Sequence, residues 1–287
     1  MSSIWTIKEA RNWAFSFLKI REDLDEPIKE GDYLLCYVMG MDRSKLLAYH
    51  EKELTFSEKS LFIELVKKRA QGEPYAYLTN NKEFMGLNLK VTKDVLIPRP
   101  ETELLVESAL NIIKTFSCEQ PIKVLDMCTG SGNVGLSIGY YSSKPVKITL
   151  LDISSDALQI AKENAHSLGL QSKCTFLESD MFSKVSEKYD IITANPPYIS
   201  ESDYSGLSID VKNEPVKALK AGSDGLLYYR KIAEEFRNSI VDNGTLLLEV
   251  GDNQAQDVSN LFLKKDLTTW IEQDLAGIDR LVGITKI

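Results

Sequence analysis

Histidine and cysteine are scarce in this chain, with His50 and His166 the only imidazoles and four cysteines among 287 residues. Cys36, Cys118, Cys128 and Cys174 stand far apart without a Cys-x-x-Cys pair, which excludes the usual tetrahedral zinc sets and leaves free thiols and no structural metal as the expectation. No apolar run approaches the ~20 residues needed to cross a bilayer. The stretch from Met1 to Ala10 lacks the charged-then-apolar order of a secretory signal, so a cytoplasmic chain with no membrane association is expected. Excess positive charge is also missing. The formal net charge is -8, which counts against direct nucleic-acid binding, because that requires a basic face to displace counterions from phosphates. Proline and glycine are not enriched, no internal repeat is visible, and 43% hydrophobic against 26% charged residues is the balance of an ordinary globular protein. The length exceeds what one core usually needs, so a large domain with a smaller companion is expected.

Three regimes of hydrophobic spacing follow one another. Up to residue 72 apolar residues recur at helical intervals, as in Trp13, Ala14, Phe17 and Leu18 and again in Leu61, Phe62, Leu65 and Val66, which predicts a small helical N-terminal domain over 1–72. Across 73–98 the period drops to two, with Phe84, Leu87, Leu89 and Val91 punctuated by Asn80-Asn81 and Gly86; this predicts a β-hairpin linker. Pro98-Arg99-Pro100 then enforces an extended stretch, with a helix expected from Glu101 or Thr102 to about Thr115. Over 99–287 strands and helices alternate, with strands predicted at 122–125, 147–151, 174–177, 191–194 and 245–250 and a helix at 155–168. Such alternation builds a doubly wound parallel sheet. The tail reads as two strands, 268–274 and 280–287, with a turn at Ala276-Gly277.

The first strand of this region runs into Asp126-Met127-Cys128-Thr129-Gly130-Ser131-Gly132, with a helix expected from about Asn133. Small residues let the backbone turn sharply beneath a ligand, and the helix N-terminus offers unpaired N–H groups. Asp152, about twenty residues further on, ends the next strand, where a carboxylate can accept hydrogens from both hydroxyls of a ribose. Gly130, Gly132 and Gly135 also satisfy G-x-G-x-x-G, so a nicotinamide-dependent oxidoreductase stays open beside an S-adenosylmethionine site, as does a bare strand-to-helix turn. Asp126 weighs against a dinucleotide, because its carboxylate would repel a pyrophosphate but suits the positive end of a methionine moiety.

Residues 190–194 lead into Asn195-Pro196-Pro197-Tyr198, at the sheet edge that carries ligands in doubly wound folds. The residue types suit a planar NH2 group. An amide nitrogen is a poor nucleophile, so its two hydrogens must be gripped to aim the lone pair at an electrophile. The Asn195 side-chain carbonyl and the Pro196 main-chain carbonyl can accept those hydrogens, Pro197 stiffens the turn, and Tyr198 can pack on the flat face. Asn195, Pro196 and Tyr198 are therefore the catalytic candidates, with Pro197 added for substrate binding. A DNA or RNA adenine amino-methyltransferase would present the same two hydrogens and remains open, as does a silent binding module using the same crevice.

Beyond Asn195–Tyr198, the chain carries Tyr77-Leu78-Thr79, Phe84-x-Gly86, the run from Val95 to Glu103 containing Ile-Pro-Arg-Pro-Glu-Thr-Glu, Glu214-Pro215, Asp224-Gly225-Leu226 with Tyr229-Arg230, and Asp274-Leu275-Ala276-Gly277. In these it resembles the HemK or PrmC release factor glutamine methyltransferases over nearly its whole length. Ribosomal-protein glutamine methyltransferases, a close alternative, look different in the Ile-Pro-Arg-Pro run. The resemblance implies an α/β, class I Rossmann-like methyltransferase sheet with a closing antiparallel hairpin and a small helical N-terminal domain. It implies S-adenosylmethionine over Cys128, Thr129, Gly130, Ser131 and Gly132, with Asp152 on the ribose, Asp180 and Met181 near the adenine, and Asn195 reaching both cofactor and target. It also implies the substrate, the glutamine of a Gly-Gly-Gln loop in peptide chain release factors, met by a monomeric enzyme. Two positions depart from the family pattern: Cys128 and Asn80 stand where glycine is usual. An ordinary backbone is expected at Cys128, since a positive φ would strain it by roughly 1–2 kcal/mol.

Overall fold

The computed structural model describes residues 4–117, 120–263 and 266–286; the free thiol expected at Cys118, and Ile287 at the end of the last predicted strand, lie outside the described residues. The chain divides into two compact units, one formed by Met1–Asn80 with Ser208–Asn213 and the other by Asn81–Leu207 with Glu214–Ile287. Among the described residues no helix is long and apolar enough to cross a membrane.

The first unit is helical, and its caps are legible residue by residue. Helix α1 (Ile7–Leu18) opens with a Thr6/Glu9 capping box, α2 (Pro27–Met39) starts on a proline and stops at left-handed Gly40, α3 (Arg43–Ala48) is capped by Asp42, and α4 (Phe56–Ala70) repeats the box with Thr55 and Glu58. Ala14, Leu18, Phe62, Leu65 and Val66 are buried together, while Leu61, expected beside them, is 41% exposed. Residues 75–79, read from the sequence as part of a hairpin, form instead a one-turn helix α5 (Tyr75–Thr79) with every residue from Ala76 to Thr79 buried. A single turn is too short for its period to separate from that of a strand. Asn80 ends it at φ 51°, a conformation asparagine tolerates better than most residues, which explains how it replaces the usual glycine.

The second unit opens with the hairpin itself, β1 (Asn81–Phe84) and β2 (Leu87–Lys90), turning through Met85 and Gly86 at positive φ. After a 3₁₀ turn over Pro100–Thr102 come α6 (Glu103–Thr115), β3 (Ile122–Met127), α7 (Asn133–Tyr141), β4 (Val146–Asp152), α8 (Ser155–Ser167), β5 (Cys174–Glu178) and β6 (Tyr189–Ala194). The chain continues through α9 (Glu201–Tyr204), then α10 (Ile209–Lys212), which belongs to the helical unit, and α11 (Leu227–Glu235), β7 (Ile240–Glu249), α12 (Ala255–Leu261), β8 (Leu267–Gln273) and β9 (Asp279–Lys286). The seven-stranded sheet has the order β5-β4-β3-β6-β7-β9-β8. Its first five strands are parallel, and β9 inserts antiparallel between β7 and β8, as the tail of the sequence predicts. One apolar cluster gathers α6, α7 and α8 against the sheet, and a second gathers α11 and α12. Strand order reverses between β3 and β6, the point where open α/β sheets bind ligands. Met127 is level with both Leu151 and Ala194, so β3, β4 and β6 deliver Cys128, Asp152 and Asn195 to one edge.

Candidate active site

Asp126, the buried end of β3, braces that edge. Its Oδ2 accepts the Thr129 hydroxyl at 2.5 Å and the Gly135 N–H at 3.0 Å, and its Oδ1 accepts the Thr193 hydroxyl at 2.9 Å. These donors join the loop, the first turn of α7 and strand β6 through one carboxyl group. Burial pushes that carboxyl up to about 6, against the pull of the three donors. The sequence suggested a partner for the methionine moiety here, but the protein's own groups already occupy both oxygens.

The loop that follows corrects an expectation. Cys128 has φ 57°, the left-handed region, so the glycine usual at this position answers a backbone requirement that cysteine meets under strain. Gly130 and Gly132 are also left-handed, and Gly135 lies so close to the sheet that a Cβ would fall 2.4 Å from Leu150. The three glycines of the G-x-G-x-x-G spacing thus serve a tight turn and close helix-to-strand packing. Asp152 holds the loop from β4, its Oδ2 accepting the Gly130 N–H at 2.9 Å and its Oδ1 the Ser154 N–H at 3.0 Å. Burial raises the Asp152 carboxyl above its ordinary value, and it pushes the Cys128 thiol up strongly, helped by Asp152, Asp126 and Asp180.

A cavity of about 240 Å³ opens at this edge. Cys128, Thr129, Gly130, Asp152, Asp180, Met181, Asn195 and Pro197 all line it, together with Asp126, Thr102, Asn133 and Tyr228. Ser131, Gly132, Pro196 and Tyr198 do not line it. Ser131 is buried with its Oγ unpartnered among the described residues, and Gly132 makes the turn into α7. Tyr198 is part-buried, with its carbonyl accepting from Gln254 Nε2 at 3.0 Å. Burial and the neighbouring Glu249 push its phenol up to about 12, so it works as a neutral ring. Gly225 follows from this packing, since a Cβ there would meet the Tyr198 carbonyl oxygen at 2.4 Å.

The Ile-Pro-Arg-Pro run and the Glu-Pro pair meet on the cavity wall. Buried Glu214 accepts the Ile97 N–H at 3.0 Å and pairs with the Arg99 guanidinium. Leu96, Pro98 and Arg99 line the cavity from one segment, and Pro215, Val216 and Lys217 from the other. Thr102 and Glu249 were not singled out as site residues in the sequence. Thr102 is buried and accepts a hydrogen bond from Asn195 Nδ2 at 3.3 Å. Glu249 ends β7 beside them, with burial pushing its carboxyl up to about 7. Its signal was a lone carboxylate in the run Leu246-Leu247-Leu248-Glu249-Val250.

The donor set separates the candidate cofactors. Asp152 and Asp180 add carboxyl groups to the lining beside the internally bonded Asp126, a set of acidic groups that disfavours a pyrophosphate. A family profile described as PrmC N-terminal domain matches residues 9–79, and one described as methyltransferase small domain matches residues 103–223. A release factor glutamine methyltransferase of Clostridium acetobutylicum is 38% identical over 282 residues, spanning 96% of this chain and 97% of that one. The chain belongs to the release factor glutamine methyltransferase family. A second member, from Streptococcus pneumoniae, is 43% identical over 218 residues, covering 75% of each chain. Solved structures share the fold. The hMettl16 catalytic domain in complex with a MAT2A 3'UTR hairpin aligns with TM-score 0.55 at 11% identity, over 81% of this chain and 84% of that one. A methyltransferase from Pyrococcus furiosus gives 0.50 at 17% identity, over 71% and 91%. This release factor glutamine methyltransferase family member is accordingly an S-adenosylmethionine-dependent enzyme with a class I sheet.

Proposed function

We propose that the enzyme transfers the methyl group of S-adenosylmethionine to the side-chain amide nitrogen of the glutamine in the Gly-Gly-Gln loop of peptide chain release factors. The observation that carries this reading is that Asn195 and Pro197, which follow β6, line one cavity with Cys128, Thr129, Gly130 and Asp152. The relatives named for that activity, matched over nearly their whole length, support it. Bound there, S-adenosylmethionine supplies an electrophilic methyl on a sulfonium. Asp152 would hold the ribose hydroxyls with lone pairs left beyond the N–H groups of Gly130 and Ser154, and Asp180 and Met181 would hold the adenine. Thr129 and Gly130 line the donor's berth, with Ser131 and Gly132 shaping the turn beneath it. With Asn195 Nδ2 engaged by Thr102, Oδ1 is left to accept one hydrogen of the target amide. The Pro196 carbonyl would accept the other, with Pro197 walling the slot and the neutral Tyr198 ring set behind it rather than in the cavity lining. Rate then comes from positioning the nitrogen in line with the methyl, which in well-oriented systems is worth up to ~7–11 kcal/mol.

In the same reading the helical domain 1–72 docks the protein substrate, 73–98 links it, and 99–287 performs the chemistry. The enzyme works as a cytoplasmic monomer on protein without touching nucleic acid, and the net charge of -8 supports the last of these. The test is single-turnover methyl transfer to a release factor, with a glutamine-to-alanine substrate control, for the wild type and Asn195→Ala. The variant should lose ~10²–10³ in rate, as for a missing preorganised polar contact. Calorimetric donor affinity should stay within about threefold. Transfer by Asn195→Ala at the wild-type rate sinks the role of Asn195, and calorimetric binding of NAD in preference to S-adenosylmethionine sinks the methyl-donor reading.

A further inference from the structure

An asparagine can hold a target amide in only one of its two flip states. With Oδ1 toward the target NH2 it accepts a hydrogen; flipped, it sets one NH2 group against another. Something buried must therefore choose the flip. Asn195 Nδ2 donates to Thr102 Oγ1 at 3.3 Å, but a hydroxyl both donates and accepts, so Thr102 alone does not impose a direction. Next to both stands Glu249, 2% exposed, with its Oε2 closing no hydrogen bond among the described residues. The Thr102 hydroxyl and the Asn195 amide face this carboxyl and favour its ionised form. An ionised carboxylate accepts only, so it fixes the polarity of everything bonded to it.

We propose that Glu249 is a positioning residue for methyl transfer: its carboxylate draws the Thr102 hydroxyl and the Asn195 NH2 toward itself and thereby points Asn195 Oδ1 at the target amide. The inference rests on the glutamine-amide reading above and names the group that sets the geometry of that site. Protonation reverses the arrangement. A carboxylic acid donates to Thr102, whose own hydrogen then turns to Asn195 and selects the wrong flip. Burial pushes the Glu249 carboxyl up to about 7, so this exchange falls near neutrality. The other groups facing it are Glu101 and Arg280, and the phenol of Tyr198. Tyr229 also faces it and donates to the Glu249 main-chain carbonyl at 2.9 Å. Tyr198 and Tyr229 are pushed up and Arg280 is raised, so none of these three exchanges a proton near 7.

The experiment is single-turnover transfer from S-adenosylmethionine to a release factor, followed from about pH 5.5 to about pH 9, for the full-length wild type, Glu249→Gln and Thr102→Val. The wild-type rate should rise through an inflection near 7. Glu249→Gln, which has no proton to exchange, should lose that inflection and run about tenfold slower at pH 8, with KM and donor affinity within about threefold. Thr102→Val breaks the same chain without touching the carboxylate's charge, and it should be slowed in kcat rather than KM; it also keeps the proposal testable if the glutamine variant misfolds. A Glu249→Gln profile that retains the wild-type rate and inflection, or a Thr102→Val variant as fast as the wild type, overturns the assignment. A wild type that transfers no methyl to release factors removes the glutamine reading and this inference together, so the two failures are distinguishable.

Discussion

Cys128 holds φ at 57°, where an L side chain costs about 1–2 kcal/mol, and it does so in the loop between β3 and α7. Glycine relieves that strain but returns roughly 0.4–1 kcal/mol of freedom to the unfolded chain. Cys128→Gly should thus stabilise the protein by about 0.5–1 kcal/mol, raising Tm by about 2–4 °C in differential scanning calorimetry. A lower Tm would mean that packing of the thiol outweighs the strain. The same residue marks a limit of sequence reading, because residue type gives no φ, and the cysteine in place of the family's glycine pointed to an ordinary backbone that the structure does not have. Asp152 and Asn195 were legible because their place at strand ends follows from the alternation of elements. Thr102 and Glu249 were not, because what makes them part of the site is proximity between segments far apart in the chain.

The sheet strands were the most legible elements, since buried parallel strands are short apolar runs with clear punctuation. Brief helices were lost, and α10 shows why. It is one turn long, and its place in the helical unit is set by charge. Asp210 takes both terminal nitrogens of the Arg69 guanidinium, at 2.9 and 2.7 Å, and one of Arg21 at 2.9 Å. Asn213 Nδ2 adds a bond to the Gly72 carbonyl at 2.8 Å. Although burial works against it, the two guanidiniums hold the Asp210 carboxyl below its ordinary value. Arg69 is 4% exposed and has Glu30 as its other acidic partner. Asp210→Ala should therefore cost about 1–3 kcal/mol, less than a fully buried pair because Asp210 itself reaches solvent. Chemical denaturation would register the loss, while donor affinity, which depends on the β3 and β4 edge, should not change. A variant as stable as the wild type would show that α10 is held by other means.

At the scale of the whole molecule, the helical unit runs to Asn80, beyond the boundary at 72 read from periodicity, and it also gains a piece from much later in the chain. The helical unit takes Ser208–Asn213 from beyond β6, and no local pattern announces that a six-residue piece of a catalytic region belongs with helices far earlier in the chain. The docking role proposed for the helical part leads to a separation of substrates by size. A chain beginning at Asn81 keeps both strands of the hairpin and the entire sheet. It should bind S-adenosylmethionine within about tenfold of the full protein, yet lose roughly a hundredfold in kcat/KM on a release factor, equivalent to about 2.7 kcal/mol of binding. A short Gly-Gly-Gln peptide, which has no second contact surface to lose, should be methylated by both forms at rates within about threefold. Equal turnover of the intact release factor by both forms would remove the docking role.

The Asp126 carboxyl, bonded at once to Thr129, Gly135 and Thr193, bears on how such an enzyme can change over generations. In the proposed function the first two would lie on the donor's side of the cavity and the third on the strand leading to the acceptor's side, so both would take their position from a common reference. Residues 215–218 line the same cavity and take no part in these three bonds. On the proposed reading, substitutions there should change which substrate is admitted while leaving donor and acceptor sides tied to one carboxyl group.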